Sequence, residues 1–227
     1  MADIRYAGAG ESRRVQQVVS GHTRAARRDA TRRAIVDAAY QCLVTAGYQS
    51  VRTRAVAEMA GVAQGTVTYH FPTRAHLLEA ASVSVLDRAD VTNRLGAIGQ
   101  PDAPIDLGHL TGLWDLFTTK EALAGLQLWL DSWREPSLIP TVKLLDRLVY
   151  TAVADAFGID LRTATPEAVA FLECLLSSAR GMLVSIPVHG LSTMDRRWRA
   201  VAGTLLLPMA QNAGLRAPSR APALSNS

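Results

Sequence analysis

Apolar residues recur at three- and four-residue steps through most of this chain, and no stretch alternates convincingly with period two. The first spacing gathers side chains on one face of a helix, whereas alternation would line one face of a strand. The chain is therefore expected to be all-α, with glycine, proline and capping residues setting the helix lengths. Ile35, Ala38, Ala39, Cys42, Leu43 and Ala46 form one such stripe over residues 31–46, and Gly47 follows as a stop. Shorter helices are expected at about 53–60 and 63–71, the second closed by Pro72, which lacks a backbone donor. Thr73 is a candidate N-cap for a helix reaching about Leu95.

Residues 96–104 are rich in Gly, Pro and Asp and read as a loop. Asp106 opens the next helix, carrying Leu110, Leu113, Trp114 and Phe117. Thr118-Thr-Lys-Glu121 has the capping-box pattern ahead of Leu123, Leu126, Trp129, Leu130 and Trp133. Pro136 and Pro140 mark another start, and that helix runs to a Gly158 stop. Thr165-Pro-Glu167 joins a cap, a first-turn proline and an acid at the positive end of the helix dipole, predicting a helix to about Ile186, before Pro187. A last helix is expected from Ser192 to about Gln211. About nine helices result, arranged as a basic flexible arm (1–30), a head (31–78), a body (79–212) and a disordered tail (213–227).

Charge is unevenly placed along the chain. Residues 1–80 hold eleven arginines against six acids, net +5, while residues 81–227 hold thirteen bases against fourteen acids, net −1. A basic N-terminal third on a nearly neutral body points to a polyanion-facing segment joined to a part with another task. Cys42 and Cys174 sit in no ligand-like spacing, so neither a disulfide framework nor a cysteine-rich metal site is expected. The chain reads as one from a reducing compartment, the cytoplasm. No apolar run approaches the roughly 20 residues of a membrane span, and no membrane partner is expected.

The stretch Thr53–Phe71 has helix-turn-helix spacing. Ala57 and Ala60 are small where two helices would cross, Gly61 frees the turn from Cβ strain, and Val62 plugs it. The second helix then carries Gln64, Gly65, Thr66, Thr68, Tyr69 and His70, which are of the kind that reaches base edges in a major groove. Val56-Ala-Glu-Met-Ala-Gly-Val62, followed by Gly65-Thr-Val-Thr-Tyr-His-Phe-Pro-Thr-Arg74 and Leu77-Leu78, resembles the TetR family of bacterial transcriptional regulators. The specific resemblance covers about residues 31–80, and the rest is similar in length and helical character.

The resemblance implies base-edge or groove-floor contacts for Gln64, Gly65, Thr66 and Thr68. It implies base or backbone contacts for Tyr69 and His70, and phosphate contacts for Thr53, Arg54 and Arg74. The sequence departs from the family pattern in three places. Arg52 stands where Ser or Thr usually caps, and would instead add a phosphate contact. Thr68 stands where Tyr is frequent. The arm is long, and Arg27, Arg28 and Arg32, with Arg24 and Arg33, are candidates for an adjacent minor groove.

One recognition helix reads too few base pairs, and a two-fold dimer would place two of them about 34–36 Å apart on an operator. Apolar residues spread round much of helix 165–186, as expected of a helix that is central or shared between subunits. The family pairs its last two long helices, which implies an interface of Phe171, Cys174, Leu175, Ser178, Trp198, Leu205 and Met209 in a homodimer. The family also holds a small-molecule effector among its middle helices, for which Trp114, Phe117, Trp129, Trp133, Tyr150 and Met182 are the candidate walls. His109, Asp131, Arg180 and His189 are the polar residues of interest there.

The function expected is a sequence-specific DNA-binding regulator, a repressor released by a largely apolar ligand. An activator or ligand-independent regulator, and a non-specific DNA binder, are the alternatives. No paired carboxylates, Ser/His/Asp arrangement, HExxH or Gly-rich phosphate loop supports an enzyme, and no cofactor or metal is expected.

Overall fold

The computed structural model describes residues 8–90, 94, 97 and 102–218, with side chains from Ala25 onward. Among them the fold is all-α. The head comprises α1 (Gly8–Ala46), α2 (Thr53–Ala60) and α3 (Gln64–His70), followed by α4 (Arg74–Ala89). The body comprises α5 (Leu107–Phe117), α6 (Lys120–Asp131), α7 (Ile139–Ala156), α8 (Pro166–His189), α9 (Leu191–Val201) and α10 (Leu207–Asn212). A π-helical turn, Ala202–Leu206, joins the last two into one rod.

Local chemistry explains most boundaries. Gly61 closes α2 in the left-handed conformation, at φ 66°. The hydroxyl of Thr73 accepts from the His76 amide at the start of α4, and that of Thr165 accepts from Ala168 at the start of α8. Asp106 caps α5 by accepting from the His109 amide at 3.1 Å, while the His109 ring packs back on the cap.

Four expectations change. Residues 8–30 were expected as a flexible arm, but from Gly8 their backbone is the first part of α1. That segment has no apolar stripe, yet it also lacks proline and is rich in Ala, Arg and Gln, so a helix nucleated at 31–46 extends along it at little cost. Residues 1–7 lie outside the described residues, as does most of the 96–104 loop. Second, α4 ends at Ala89 rather than near Leu95, with Asp90 turned to φ 47°. Third, Pro187 does not end α8, because it sits in the last turn and removes only one intrahelical bond. Fourth, residues 213–218 were expected as tail but are seated on the body: Leu215 and Ala217 are buried. The Ala217 amide donates to Ala103 at 2.8 Å, and Ile105 donates to Leu215 at 3.2 Å. Residues 219–227 lie outside the described residues.

Two apolar cores form. The head core joins Ile35, Leu43, Val56, Val67 and Phe71 to the inner stripe of α4, and takes in Leu128, Val142 and Leu145 from α6 and α7. The boundary expected after residue 78 thus falls inside α4, which serves both parts. The body core surrounds α8, with Phe157, Phe171 and Trp198 almost fully enclosed. Trp198 stacks on Trp114 at 5.1 Å and donates its indole N–H to the Leu110 carbonyl at 2.9 Å. By length and mean hydropathy α8 could cross a membrane, which a reading of contiguous apolar runs did not anticipate. Its stripe of Phe171, Leu172, Leu175, Leu176, Ala179 and Leu183 is instead spent on the core.

In the rod, Met194, Trp198, Ala202, Leu206 and Ala210 are all buried, at strict four-residue spacing. Four residues of α-helix overshoot a full turn by about 40°, so this spacing would spiral off the core. The wider π turn takes up the excess and keeps the buried residues in line.

The C-terminal segment also depends on Gly158, which has φ 67° and whose missing Cβ would lie 2.5 Å from the Arg216 carbonyl oxygen. Gly158→Ala is expected to destabilise the chain by at least about 1 kcal/mol in urea unfolding. An unchanged midpoint would show that the segment is not seated there in solution.

Candidate nucleic-acid interface and effector cavity

The turn between α2 and α3 follows from small residues. Val62 donates its amide back to Ala57 at 3.0 Å, and Val56, Ala57 and Val67 are buried where the helices meet. Packing thus uses one face of α3 and leaves the other in solvent. Gln64, Gly65, Thr68 and Tyr69 are exposed, and Thr66 and His70 are partly so. Tyr69 keeps 69% of its surface, unusual for an aromatic residue with no apolar partner to cover it. Its ring stands edge-on to His70 at 5.2 Å. No atom lies within 4 Å of where a Gly65 Cβ would be, so backbone is open to approach there. The Thr68 hydroxyl is turned back to the Gln64 carbonyl at 3.2 Å.

The flanking cations are less free than their number suggests. Arg54 pairs with Glu58 at 3.0 Å on the exposed face of α2. Arg52 supplies no cap to α2, as its departure from the family pattern implied, and donates to the Gln49 carbonyl at 2.9 Å; Thr53 next to it is half-buried. Arg74 donates to the carbonyls of Val51 at 2.9 Å and Tyr48 at 2.7 Å, with its guanidinium over the Tyr48 ring. It clamps the 48–51 turn onto α4, a role its expected place on phosphate did not include. On α1, Arg27, Arg28 and Arg32 are exposed. Arg32 lies 4.7 Å from the Phe71 ring centroid. Arg28, Arg32 and Arg33 line a groove with Tyr69, His70 and His76, so α1 and the end of α3 present one surface.

Between α4, α6, α7 and α8 lies a cavity of about 100 Å³. Its wall is mostly apolar, with Val85, Leu116, Leu126, Leu145 and Leu183 among the lining. Two of the expected residues, Phe117 and Trp129, line it. Four do not. Trp114 is buried in the body core, stacked on Trp198 and donating to Asp195 at 2.7 Å. Trp133 lies beyond the end of α6 and is 78% exposed. Tyr150 and Met182 pack against the body core, Tyr150 next to Glu173. Of the polar residues of interest, Arg180 lines the cavity, while His109 serves the α5 cap and His189 is exposed at the end of α8. Asp131 lies in the last turn of α6, where its carbonyl accepts from the Arg134 and Glu135 amides.

The charged lining residues Glu121 and Asp146 were not anticipated. Glu121 had been read as half of a capping box, but Thr119 supplies the cap, accepting from Ala122 at 3.4 Å. That frees the Glu121 carboxylate to accept from the Tyr40 hydroxyl of α1 at 2.7 Å. Burial alone would raise this carboxyl; the Tyr40 donor, its own amide and the charges of Lys120 and Arg94 together hold it below the usual value. The Tyr40 hydroxyl is correspondingly pushed up, first by burial and then by Glu121. Tyr40 is itself buried under the Arg88 guanidinium, 4.2 Å from its ring centroid, and Arg88 pairs with Asp37.

The expected interface also needs correction. Phe171, Leu175 and Trp198 have no exposed surface within a single chain, so they are core rather than contact residues. The apolar circumference of α8 reflected a large inner stripe more than a second shared face. Cys174, Ser178 and Met209 keep partial exposure, and Leu205 keeps 49%. Val184, Val188 and Leu191 are further exposed apolar residues on these helices.

The clamp makes a direct prediction. Arg74→Lys keeps the charge but cannot span both carbonyls, and is expected to cost about 1 kcal/mol in chemical denaturation. Equal stability of the two proteins would show that the bonds to Tyr48 and Val51 contribute nothing.

Comparison with known proteins follows the same division. The family described as "Bacterial regulatory proteins, tetR family" matches residues 35–81. No curated protein matches the chain. Among solved structures, a TetR-family transcriptional regulator from Rhodococcus sp. is 23% identical, with TM-score 0.56 over 78% of this chain and 98% of that one. The multidrug binding protein EbrR complexed with proflavin is 24% identical, with TM-score 0.56 over 79% and 99%. A transcriptional regulator from Saccharomonospora viridis in complex with choline is 19% identical, with TM-score 0.57 over 78% and 97%. Residues 35–81 thus match the tetR family of bacterial regulatory proteins, and the chain's overall fold is similar to that of solved structures described as transcriptional regulators.

Proposed function

We propose that this chain is a dimeric, sequence-specific DNA-binding repressor whose hold on a palindromic operator is released by a small ligand in the body cavity. The observation that carries the reading is the outer face of α3. Gln64, Gly65, Thr68 and Tyr69 are exposed there, with Thr66 and His70 partly so beside them. Short hydroxyls, an amide and an open glycine backbone on a helix that protrudes from its domain suit the floor of a major groove. Thr53 and Arg54 at the start of α2, with Arg52 beside them, are placed for phosphates on one flank. Arg27, Arg28 and Arg32 are placed for the backbone or minor groove on the other.

The dimer is assigned to the outer faces of α8 and the rod, through Cys174, Ser178, Leu205 and Met209 together with Val184, Val188 and Leu191. The cavity is assigned to the effector. Related folds hold proflavin and choline, which supports a ligand chamber in a body of this kind. An apolar cavity of about 150 Å³ takes benzene, so at about 100 Å³ the walls must give way even for a single aromatic ring. Larger ligands would need α6 and α4 to part. That requirement supplies the switch: a ligand that binds the parted state better draws the population toward it, and α4 carries the movement to α3. The reading has no enzymatic component and places the protein with the chromosome in the cytoplasm.

Gel shift of the full chain on DNA flanking its own coding region, against random-sequence competitor, tests the reading. Competitor-resistant binding is expected. Should that region hold no site, random-site selection is expected to return a palindrome; equal affinity for all sequences with a dominant salt dependence would replace the regulator by a non-specific binder. Tyr69→Ala and Gly65→Leu should each weaken operator binding at least about tenfold while sedimentation still shows the dimer. Gly65→Leu should also melt no lower than the parent, since helical glycine is unfavourable and the space is open. Undiminished binding by both variants would remove α3 as the reading element.

A further inference from the structure

We infer that the body cavity is a site for a small organic monocation, and that Glu121 both receives that cation and, through Tyr40, transmits its arrival to the head. This rests on the regulator reading above and gives it an effector class and a coupling residue.

The lining carries three charged groups, Glu121, Asp146 and Arg180. The Arg180 guanidinium is bound to Asp146 and lies 5.8 Å from the Trp129 ring centroid, so that pair is neutral and already anchored. Glu121 is the remaining charge, and its ion pair with the exposed Lys120 ammonium is long, at 4.0 Å. Its side chain is only 18% exposed, and its hydrogen-bond donors are a phenol and its own backbone amide, both neutral. The cations near it, Lys120 and Arg94, are solvent-exposed, with the Lys120 ammonium 4.0 Å away and 71% exposed. Among the described residues the lining therefore carries a net charge of −1 facing a mostly apolar space. A buried charge is stable in proportion to how well it is paired. An anion would add to the imbalance, a neutral molecule would leave it, and a monocation cancels it. Phe117 and Trp129 on the same wall offer ring faces to an aromatic body or to the cation itself.

The second half of the inference is the position of Tyr40. It belongs to α1, and its hydroxyl depends on Glu121, which belongs to the cavity wall on α6. A cation beside Glu121 competes for the same carboxylate and weakens it as an acceptor. The buried hydroxyl then loses the one acceptor it has among the described residues, and such a loss is costly. A filled cavity thus loosens α1 from α6. By reciprocity, a head held in its DNA-bound arrangement lowers the affinity for the cation.

Isothermal titration of the full chain with benzylammonium, benzyl alcohol and benzoate at neutral pH tests both halves. Benzylammonium is expected to bind at least about tenfold tighter than benzyl alcohol, the scale of a charge-assisted hydrogen bond, and benzoate not to bind. In Glu121→Gln the cation-to-alcohol ratio is expected to fall to near one. In Tyr40→Phe, which keeps the ring under Arg88, cation affinity is expected to rise about three- to tenfold, and the cation should no longer release operator DNA. No preference for the cation, no binding of any probe, or an unchanged ratio in Glu121→Gln would overturn the site. Unchanged affinity and unchanged DNA release in Tyr40→Phe would overturn the coupling. Failure of the parent protein to bind any DNA sequence selectively would sink the regulator reading instead, and the titration would still decide the cation site.

Discussion

The rest of the structure depends on a single apolar stripe along α4. Leu77, Leu78 and Ala81 complete the core of the head, and Val85, one turn further on, is shared between that core and the cavity wall. Ala89 at the far end packs with the body core. A buried interface of this kind does not bend smoothly; close-packed side chains hold one arrangement or move to another. Any change in the volume between α4 and α6 is therefore felt by the helices that seat α3. The polar tie from Tyr40 to Glu121 runs parallel to this apolar contact, so head and body are joined by two kinds of force with different sensitivities. Packing is sensitive to volume, and the hydrogen bond to charge.

Much of this was legible in the sequence because the relevant signals are local. Residues 53–60 and the turn at Gly61 could be read from small residues and one unstrained glycine, since those requirements are met within a few positions. Thr165 and Asp106 announced their helices by side chains that cap their own backbone. Even the division of charge between head and body needed only counting. The signals failed where the deciding interaction was distant. Glu121 satisfied a local capping pattern, and only the approach of Tyr40, 81 positions away in sequence, shows why it is not used that way. Residues 8–30 lack an apolar stripe, the signal on which a periodicity reading relies.

The cavity and the interface failed for a common reason. Composition says that a residue is apolar and periodicity says which others share its face, but neither says which face meets which neighbour. Trp114, Trp129 and Trp133 were equivalent as candidates. In the fold the first is core, the second is wall and the third is in solvent. The same ambiguity placed Phe171, Leu175 and Trp198 at an interface when the large inner stripe of α8 had already consumed them. A helix apolar over much of its circumference can be central to one chain without being shared by two, and the exposed remainder, such as Val184 and Leu205, is what a partner would meet.

The π turn at Ala202–Leu206 has a consequence for reading related sequences. Over its four steps, a buried series at strict four-residue spacing runs between one and two residues longer than four regular α-helical turns, which need about 14.4 residues. The rod therefore behaves as though it had absorbed a single-residue insertion, with the surplus accommodated at exposed Gly203 and Thr204 rather than passed down to Leu206 and Ala210. An alignment with a relative whose last helix is regular needs a one-residue gap at that turn. Without it, every position from Leu206 onward would be matched to the wrong side of the helix.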